Sequence, residues 1–221
     1  VQYAIIMDGG QITEDISKAG LSNLVASMMN EGTRNKTPEE LEDAIGLLGA
    51  SIRIVSGVED ISVNVSTLKK NFGKTISIVE EMLLEPRWDK EQFGLAKSRI
   101  INSIKRNKAN PDYLASTTLN KLMFGDKNIL SFELSGNEVS VNSINIDDLK
   151  DYYGKYFSPS TAKLLIVGNN LPVLANHQDG IERRLLLRLE DGSLVQNLFL
   201  GLPAPCLAVQ VVKTEADVAG H

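Results

Sequence analysis

Apolar residues recur along the chain with two different periods, and these periods predict its strands and helices. Val1–Asp8 is apolar and β-prone, and the pair Gly9-Gly10 ends it, which predicts a first strand. Apolar and small polar residues alternate strictly from Ile61 to Ser66, which predicts a strand over Ile61–Leu68 with one solvated face. This strand and Ser51–Ser56 are expected to form an antiparallel hairpin. A last clear strand is expected over Ala162–Val167.

Six segments are instead predicted as helices, and in the first four of them apolar residues recur three and four positions apart, as in amphipathic helices. The sequence Thr37-Pro38-Glu39-Glu40 has the pattern of a capping box with proline in the first helical turn. The predicted helices cover 18–30, 37–48, 71–84, 89–108, 113–124 and 144–156. Because strands come as hairpins and helices come in runs, we expect an α+β, two-layer sandwich: a mostly antiparallel sheet with helices packed on one face.

Composition narrows the class of protein. The chain has 221 residues, 43% of them hydrophobic and 23% charged, which is typical of a soluble globular domain. The net charge of −5 disfavours a nucleic-acid partner, and no apolar run approaches the roughly 20 residues of a membrane span. Cys206 is the only cysteine, so neither an internal disulfide nor a cysteine-rich zinc site can form. No basic segment precedes the apolar run at Val1, so we expect no signal peptide in this chain.

Histidine is scarce, which bears directly on catalysis and metal binding. The two histidines, His177 and His221, lie far apart near the C-terminal end. We expect the first in a surface loop and the second at a disordered terminus. Neither can belong to a His-x-x-Glu-His motif, so histidine-based catalysis and zinc binding have almost no residues to use.

The segment Gly20–Thr33 resembles the signature helix of the insulinase/pitrilysin-type zinc metallopeptidases. Active members carry an inverted zinc motif, H-x-x-E-H, between the leading Gly and the trailing Gly-Thr. The resemblance covers about residues 1–169 and rests on the order and spacing of several further motifs. These motifs are Gly9-Gly10, Thr37–Leu41, Leu48–Ala50, Pro86–Trp88, Tyr156–Pro159 and Leu164–Asn169.

The resemblance implies a metallohydrolase domain of the insulinase/mitochondrial-processing-peptidase type without its catalytic residues. The two zinc histidines of the family fall on Asn23 and Ser27, and the catalytic glutamate falls on Ala26. The distal glutamate ligand falls near Asn102 or Ser103. Each of these side chains either cannot bind zinc or is a very poor zinc ligand. The resemblance therefore implies no catalytic residue, no metal site and no cofactor in this chain, with zinc expected only in an active half.

Members of this family are built from paired halves, in one chain or two, that close around a chamber. The resemblance implies that this chain is the first domain of a zinc-free half, which shapes the chamber and helps to bind extended peptide beside an active, zinc-bearing half. The alternative is a stand-alone scaffold or interaction protein that keeps the fold without proteolysis. No constellation of residues supports an enzyme with another chemistry. Bacterial members occur in the cell envelope or periplasm and in the cytoplasm.

We divide the chain into an inactive peptidase domain at 1–169 and a tail at 170–221. Within the tail, 181–199 resembles the hairpin that opens a family repeat, with Asp191-Gly192 at its turn, and 202–212 resembles the strand that follows. The tail either begins a following domain, which we favour, or folds back and fills the edge position that the N-terminus lacks. Three other residues are predicted to have structural roles. Asp147 and Asp148 complement a helix dipole, and Trp88 anchors a turn between helices.

Overall fold

The computed structural model describes residues 1–158 and 162–167, and beyond them only the backbone of three strands at 185–188, 194–198 and 208–212. The strands are β1 Gln2–Asp8, β2 Ser51–Ser56, β3 Asp60–Ser66, β4 Lys163–Val167, β5 Leu185–Arg188, β6 Leu194–Leu198 and β7 Ala208–Val212. The helices are α1 Leu21–Met29, α2 Pro38–Leu47, α3 Phe72–Leu84, α4 Lys90–Asn107, α5 Pro111–Phe124, α6 Glu138–Ser143 and α7 Ile146–Tyr156. These bounds confirm each strand and helix predicted within residues 1–169 to within about three residues at either end.

The described strands form one sheet in the order β2-β3-β1-β4-β7-β5-β6. Four of its pairings are antiparallel, namely β1 with β3, β1 with β4, β2 with β3, and β5 with β6. The pairings of β7 with β4 and with β5 are parallel. The α+β prediction of a mostly antiparallel sheet with helices on one face is therefore confirmed. Strand β2 lies at an edge of this sheet, so within the described part of the chain one side of its backbone has no strand partner.

The alternation in β3 places one row of side chains in the core. Ile61 and Val63 are fully buried and Val65 is nearly so, whereas the intervening Asn64 and Ser66 are exposed. A strand turns successive side chains to opposite faces, so this pattern sets both the face that meets the helices and the register with β2. The observed pairing of Ile54 with Val63 keeps apolar side chains on the helix side of both strands.

Helix α1 is the central element of the helical layer. Leu24, Val25, Met28 and Met29 expose none of their surface. Two glycines with positive φ bracket the helix, Gly20 at 96° and Gly32 at 106°. A Cβ atom at the first would lie 2.7 Å from the carbonyl oxygen of Ser135, and at the second 2.7 Å from that of Lys36. Both positions therefore require glycine, because φ is positive and because a backbone oxygen lies too close to leave room for a Cβ atom.

The predicted helix caps are present, and one helix was missed. Thr37 and Glu40 form the reciprocal hydrogen bonds of a capping box at α2. Asp148 completes a second capping box at α7, and Trp88 packs edge-on to Tyr153 with ring centroids 5.5 Å apart. Helix α6 was not predicted because its six residues include only two apolar ones, too few to establish a period.

Several predictions concern residues outside the described part of the chain: those on Cys206, His177, His221 and the turn at Asp191-Gly192. The division into a domain at 1–169 and a tail at 170–221 stays a prediction. Among the described residues, no helix combines the length and the apolar character needed to cross a membrane.

Candidate functional site

A cleft of about 860 Å³ lies between α1, α2, α4 and the edge strand β2. Every residue of β2 from Ser51 to Ser56 lines it, so the strand forms one wall along its whole length. The apolar part of the lining comes from the helices and from β2. It includes Leu41, Ile45, Ile52, Met82 and Ile100.

A stripe of polar side chains runs along α1 and its C-terminal cap toward the cleft. Asn23, Ser27 and Asn30 are half-buried and all three line the cleft, whereas most other residues between 21 and 30 are buried. Their spacing of four and three residues places them on one face of the helix. The helix therefore presents two carboxamides and a hydroxyl to the cleft.

The residues that the resemblance places at catalytic positions are only partly brought together. Asn23, Ala26 and Ser27 share the α1 wall of the cleft. Asn102 is exposed and Ser103 half-buried on α4, and neither lines the cleft. The residues of α4 that do line it are Ala96, Arg99 and Ile100.

The side chains that α1 and its cap, Asn30, present to the cleft do not fit a zinc ion. Zinc sites in proteins use thiolate, imidazole and carboxylate ligands. The α1 wall instead offers the amides of Asn23 and Asn30, the hydroxyl of Ser27 and the methyl group of Ala26. Throughout the described ranges, no group of three or more His, Cys, Asp or Glu side chains is placed to hold a metal ion.

Charges along the cleft balance. Among the residues that the structure describes, its charged lining residues are two acids, Glu31 and Glu42, and two bases, Arg53 and Arg99. Arg99 donates to the carboxylate of Glu31 in an ion pair that ties α4 to the end of α1. Because the formal charges cancel, the cleft attracts neither a strongly acidic nor a strongly basic ligand by long-range electrostatics.

Asn30 forms hydrogen bonds with the edge strand β2 that the sequence alone does not predict. Its Nδ2 donates to the backbone oxygens of Ala26 and Ile54, at 2.7 and 2.9 Å. Its Oδ1 accepts from the backbone N–H of Ile54 at 3.1 Å. The side chain thus bonds both backbone groups of one residue on the edge strand. The spacing of Asn23, Ser27 and Asn30 was the sequence pattern that could have placed Asn30 on the same face.

The start of α1 is held by a buried carboxylate. Glu14 is 9% exposed and accepts from the backbone N–H groups of Gly20 and Ser22, each at 2.7 Å. It also accepts from the hydroxyl of Ser22. Burial raises the pKa of Glu14, although these hydrogen bonds oppose the increase. A carboxylate here satisfies free N–H groups at the helix N-terminus and fixes the helix that carries the polar stripe.

The chain is thus an α+β sandwich domain with a cleft between an edge strand and a helix that lies between two positive-φ glycines. The sequence model of the family described as insulinase (peptidase family M16) matches residues 1–131, more than half of the chain. The chain belongs to the insulinase family, M16.

Curated relatives include the non-peptidase homolog YmxG of Helicobacter pylori, 26% identical over 166 residues. The match covers 75% of this chain and 38% of that protein. The uncharacterized zinc protease YmxG of Bacillus subtilis is 21% identical over 150 residues, covering 68% of this chain and 36% of that protein. The chain thus spans less than two-fifths of the length of these two relatives.

Solved structures share the fold. The peptidase M16 inactive domain from Pseudomonas fluorescens superposes with a TM-score of 0.69 at 19% identity, covering 74% of this chain and 40% of that one. A protease from Helicobacter pylori superposes with a TM-score of 0.71 at 15% identity, covering 80% of this chain and 42% of that one.

Proposed function

We propose that this chain is a non-catalytic domain of an insulinase-family protease that forms part of a peptide-binding chamber beside an active, zinc-bearing half. The cleft along α1 and β2 is the observation that carries the proposal. It lies against the helix that matches the family's zinc helix, yet Asn23, Ala26 and Ser27 on that helix offer an amide, a methyl group and a hydroxyl in place of metal ligands.

The absence of catalysis is supported by the α1 wall. Asn23 and Ser27 stand where the family has zinc-binding histidines, and Ala26 stands where it has the glutamate that activates water. Without a metal-bound water, the family's mechanism lacks the nucleophile that it uses for peptide hydrolysis. Asn102 and Ser103 on α4 are proposed as the positions that have lost the distal glutamate. The names of two of the proteins compared above, a non-peptidase homolog and an inactive domain, agree with this assignment.

Peptide binding is supported by the shape and chemistry of the cleft. Apolar side chains such as Ile45, Ile52 and Ile100 provide surfaces for the side chains of an extended peptide. The edge strand β2 provides backbone groups that an added strand could use. Because the charges of the lining cancel, we propose that the ligand is an extended peptide without a strong charge bias.

The proposed extent of the inactive domain is residues 1–169, with 170–221 as a tail. Strands β1 to β4 and all seven described helices fall within the proposed domain. The family match at 1–131 also falls within it.

Peptide binding is tested by filling the cleft. A short fluorescein-labelled peptide of alternating threonine and valine is titrated with the whole chain, and its anisotropy is followed. Ser27→Trp places a bulky ring in the cleft and is expected to abolish binding. Ser116→Trp, the same substitution at an exposed position on α5, is the matched control and should bind as the wild type does. Equal binding by both variants, or none by the wild type, would contradict the proposal.

The partnership with an active half is tested by genomic context and by reconstitution. A neighbouring or fused sequence with a His-x-x-Glu-His motif supports a protease half, and mixing the two proteins should then increase peptide cleavage. If no such sequence exists, the alternative of a stand-alone scaffold is favoured. Restoring His, Glu and His at 23, 26 and 27 is expected to leave the chain without full activity, because the distal glutamate is also missing.

A further inference from the structure

We propose that Asn30 closes the β2 edge by occupying the position of a peptide group, so that an extended peptide pairs with β2 only when the Asn30 side chain moves away. This proposal rests on the proposed function and adds a control to the same cleft. Its basis is the pair of hydrogen bonds between Asn30 and Ile54, at 2.9 and 3.1 Å.

The chemistry of the contact is that of a β-ladder. A carboxamide has the same donor and acceptor as a backbone peptide group. Within a ladder, one residue exchanges an N–H···O and an O···H–N bond with its neighbour, and Asn30 makes both of these bonds with Ile54. A further bond from Nδ2 to Ala26 at 2.7 Å uses the second amide hydrogen and fixes the orientation of the side chain.

The position of the contact matters as much as its chemistry. Backbone groups of alternate residues point to the same side of a strand, so Ile52 and Ser56 direct theirs to the same side as Ile54. Ile54 is the middle residue of these three. A peptide strand that paired with β2 would have to bond Ile54, and Asn30 already occupies that place. Blocking the centre of a strand of six residues prevents a continuous ladder from forming.

The consequence for binding is a competition. A ligand that needs a minor conformation binds with an apparent Kd increased by the reciprocal of that conformation's population. Wild-type protein would therefore bind peptides weakly through side-chain contacts, and a full ladder would form only in the open state. A side chain that protects an edge in this way also prevents unwanted pairing with other chains.

The test compares variants of Asn30 with a matched control outside the cleft. Asn30→Ala removes both bonds to Ile54. Asn30→Asp keeps an acceptor but has no N–H to donate to the Ile54 oxygen, and it replaces the alanine variant if that variant does not fold. Asn120→Ala on α5 is the control, because it removes the same carboxamide from a position that does not line the cleft. Each is titrated with the fluorescein-labelled threonine–valine peptide, and exchange of the Ile54 amide hydrogen is followed by NMR.

Asn30→Ala and Asn30→Asp are expected to bind the peptide about tenfold more tightly than wild type, which corresponds to about 1.4 kcal/mol at 25 °C. The Ile54 amide should exchange faster in Asn30→Ala and regain protection when peptide is added. A merely structural role for Asn30 would not produce that recovery. Asn120→Ala should keep the wild-type affinity for the peptide and the wild-type exchange at Ile54.

The outcomes separate the two proposals. Equal binding by wild type and the Asn30 variants overturns the closing role and leaves the peptide-binding function standing. Binding by the Asn30 variants alone supports the closing role and contradicts peptide binding by the wild-type cleft. If no variant binds peptide, both are wrong. Tighter binding without renewed protection of Ile54 also overturns the closing role, because the peptide would then lie elsewhere.

Discussion

The hydrogen bond between Ser22 and the buried Glu14 carboxylate is the contact we expect to matter most for the position of α1. Ser22 is 1% exposed, and its hydroxyl donates to Glu14 Oε1. The backbone N–H of Ser22 donates to the same oxygen at 2.7 Å. Ser22→Ala removes the hydroxyl and leaves a buried carboxylate with fewer donors. Because hydrogen bonds to charged groups contribute about 1.5–3 kcal/mol, the free energy of unfolding should fall by that amount.

The measurement is urea unfolding followed by circular dichroism. A loss of about 1.5–3 kcal/mol is a large fraction of the 5–15 kcal/mol by which domains of this kind are stable. Ser116→Ala, which removes a hydroxyl from the exposed face of α5, is the control and should change stability by less than about 0.5 kcal/mol. If Ser22→Ala unfolds at the wild-type urea concentration, the buried carboxylate does not hold α1 as we argue.

The Glu14 carboxylate also predicts the direction in which the stability of the fold changes with pH. Burial raises the pKa of Glu14, so the folded chain binds this proton more tightly than the unfolded chain. Its contribution to stability is therefore full below the ordinary glutamate pKa of about 4.3 and is lost as the pH rises through the higher folded value. Glu14→Gln lacks this titration. The stability of wild type minus that of Glu14→Gln should be larger at about pH 4 than at about pH 7. A difference that grows with pH would contradict the direction of the shift.

Three further substitutions probe the frame of the cleft by urea unfolding. Gly32→Ala should cost about 1–3 kcal/mol because its φ is 106°, whereas Gly94→Ala on the exposed side of α4 should stabilise by about 0.5–1 kcal/mol; equal effects would refute the backbone argument. Leu24→Ala should cost about 2–5 kcal/mol because the side chain is fully buried, and a cost below about 1 kcal/mol would refute its core position. Arg99→Ala should cost at most about 1 kcal/mol because the guanidinium paired with Glu31 is 61% exposed; a larger, salt-independent loss would contradict this.

The secondary structure could be predicted from local patterns. The alternation in β3 and the capping box at Thr37 involve neighbours in sequence, so their physical causes are visible in the sequence itself. Helix α6 could not be predicted in this way, because six residues contain less than two turns of periodic pattern.

The site could be predicted only as far as one helix allowed. The shared face of Asn23 and Ser27 follows from their spacing of four residues. The bonds from Asn30 to Ile54 join residues 24 positions apart, and the ion pair of Arg99 with Glu31 joins residues 68 positions apart. Such contacts depend on how α1, α4 and β2 pack together, and no local period encodes that packing. The neutral charge of the cleft was hidden for the same reason, because its four charged residues come from four different segments.

Zinc binding tests the central claim most directly. The purified chain is incubated with equimolar zinc, passed through a desalting column and analysed for metal by mass spectrometry. The amides, hydroxyl and methyl group of Asn23, Asn30, Ser27 and Ala26 are too poor as ligands to retain the ion, so the account predicts far less than one zinc per chain. One tightly held zinc ion per chain, lost on substitution of these residues, would contradict it.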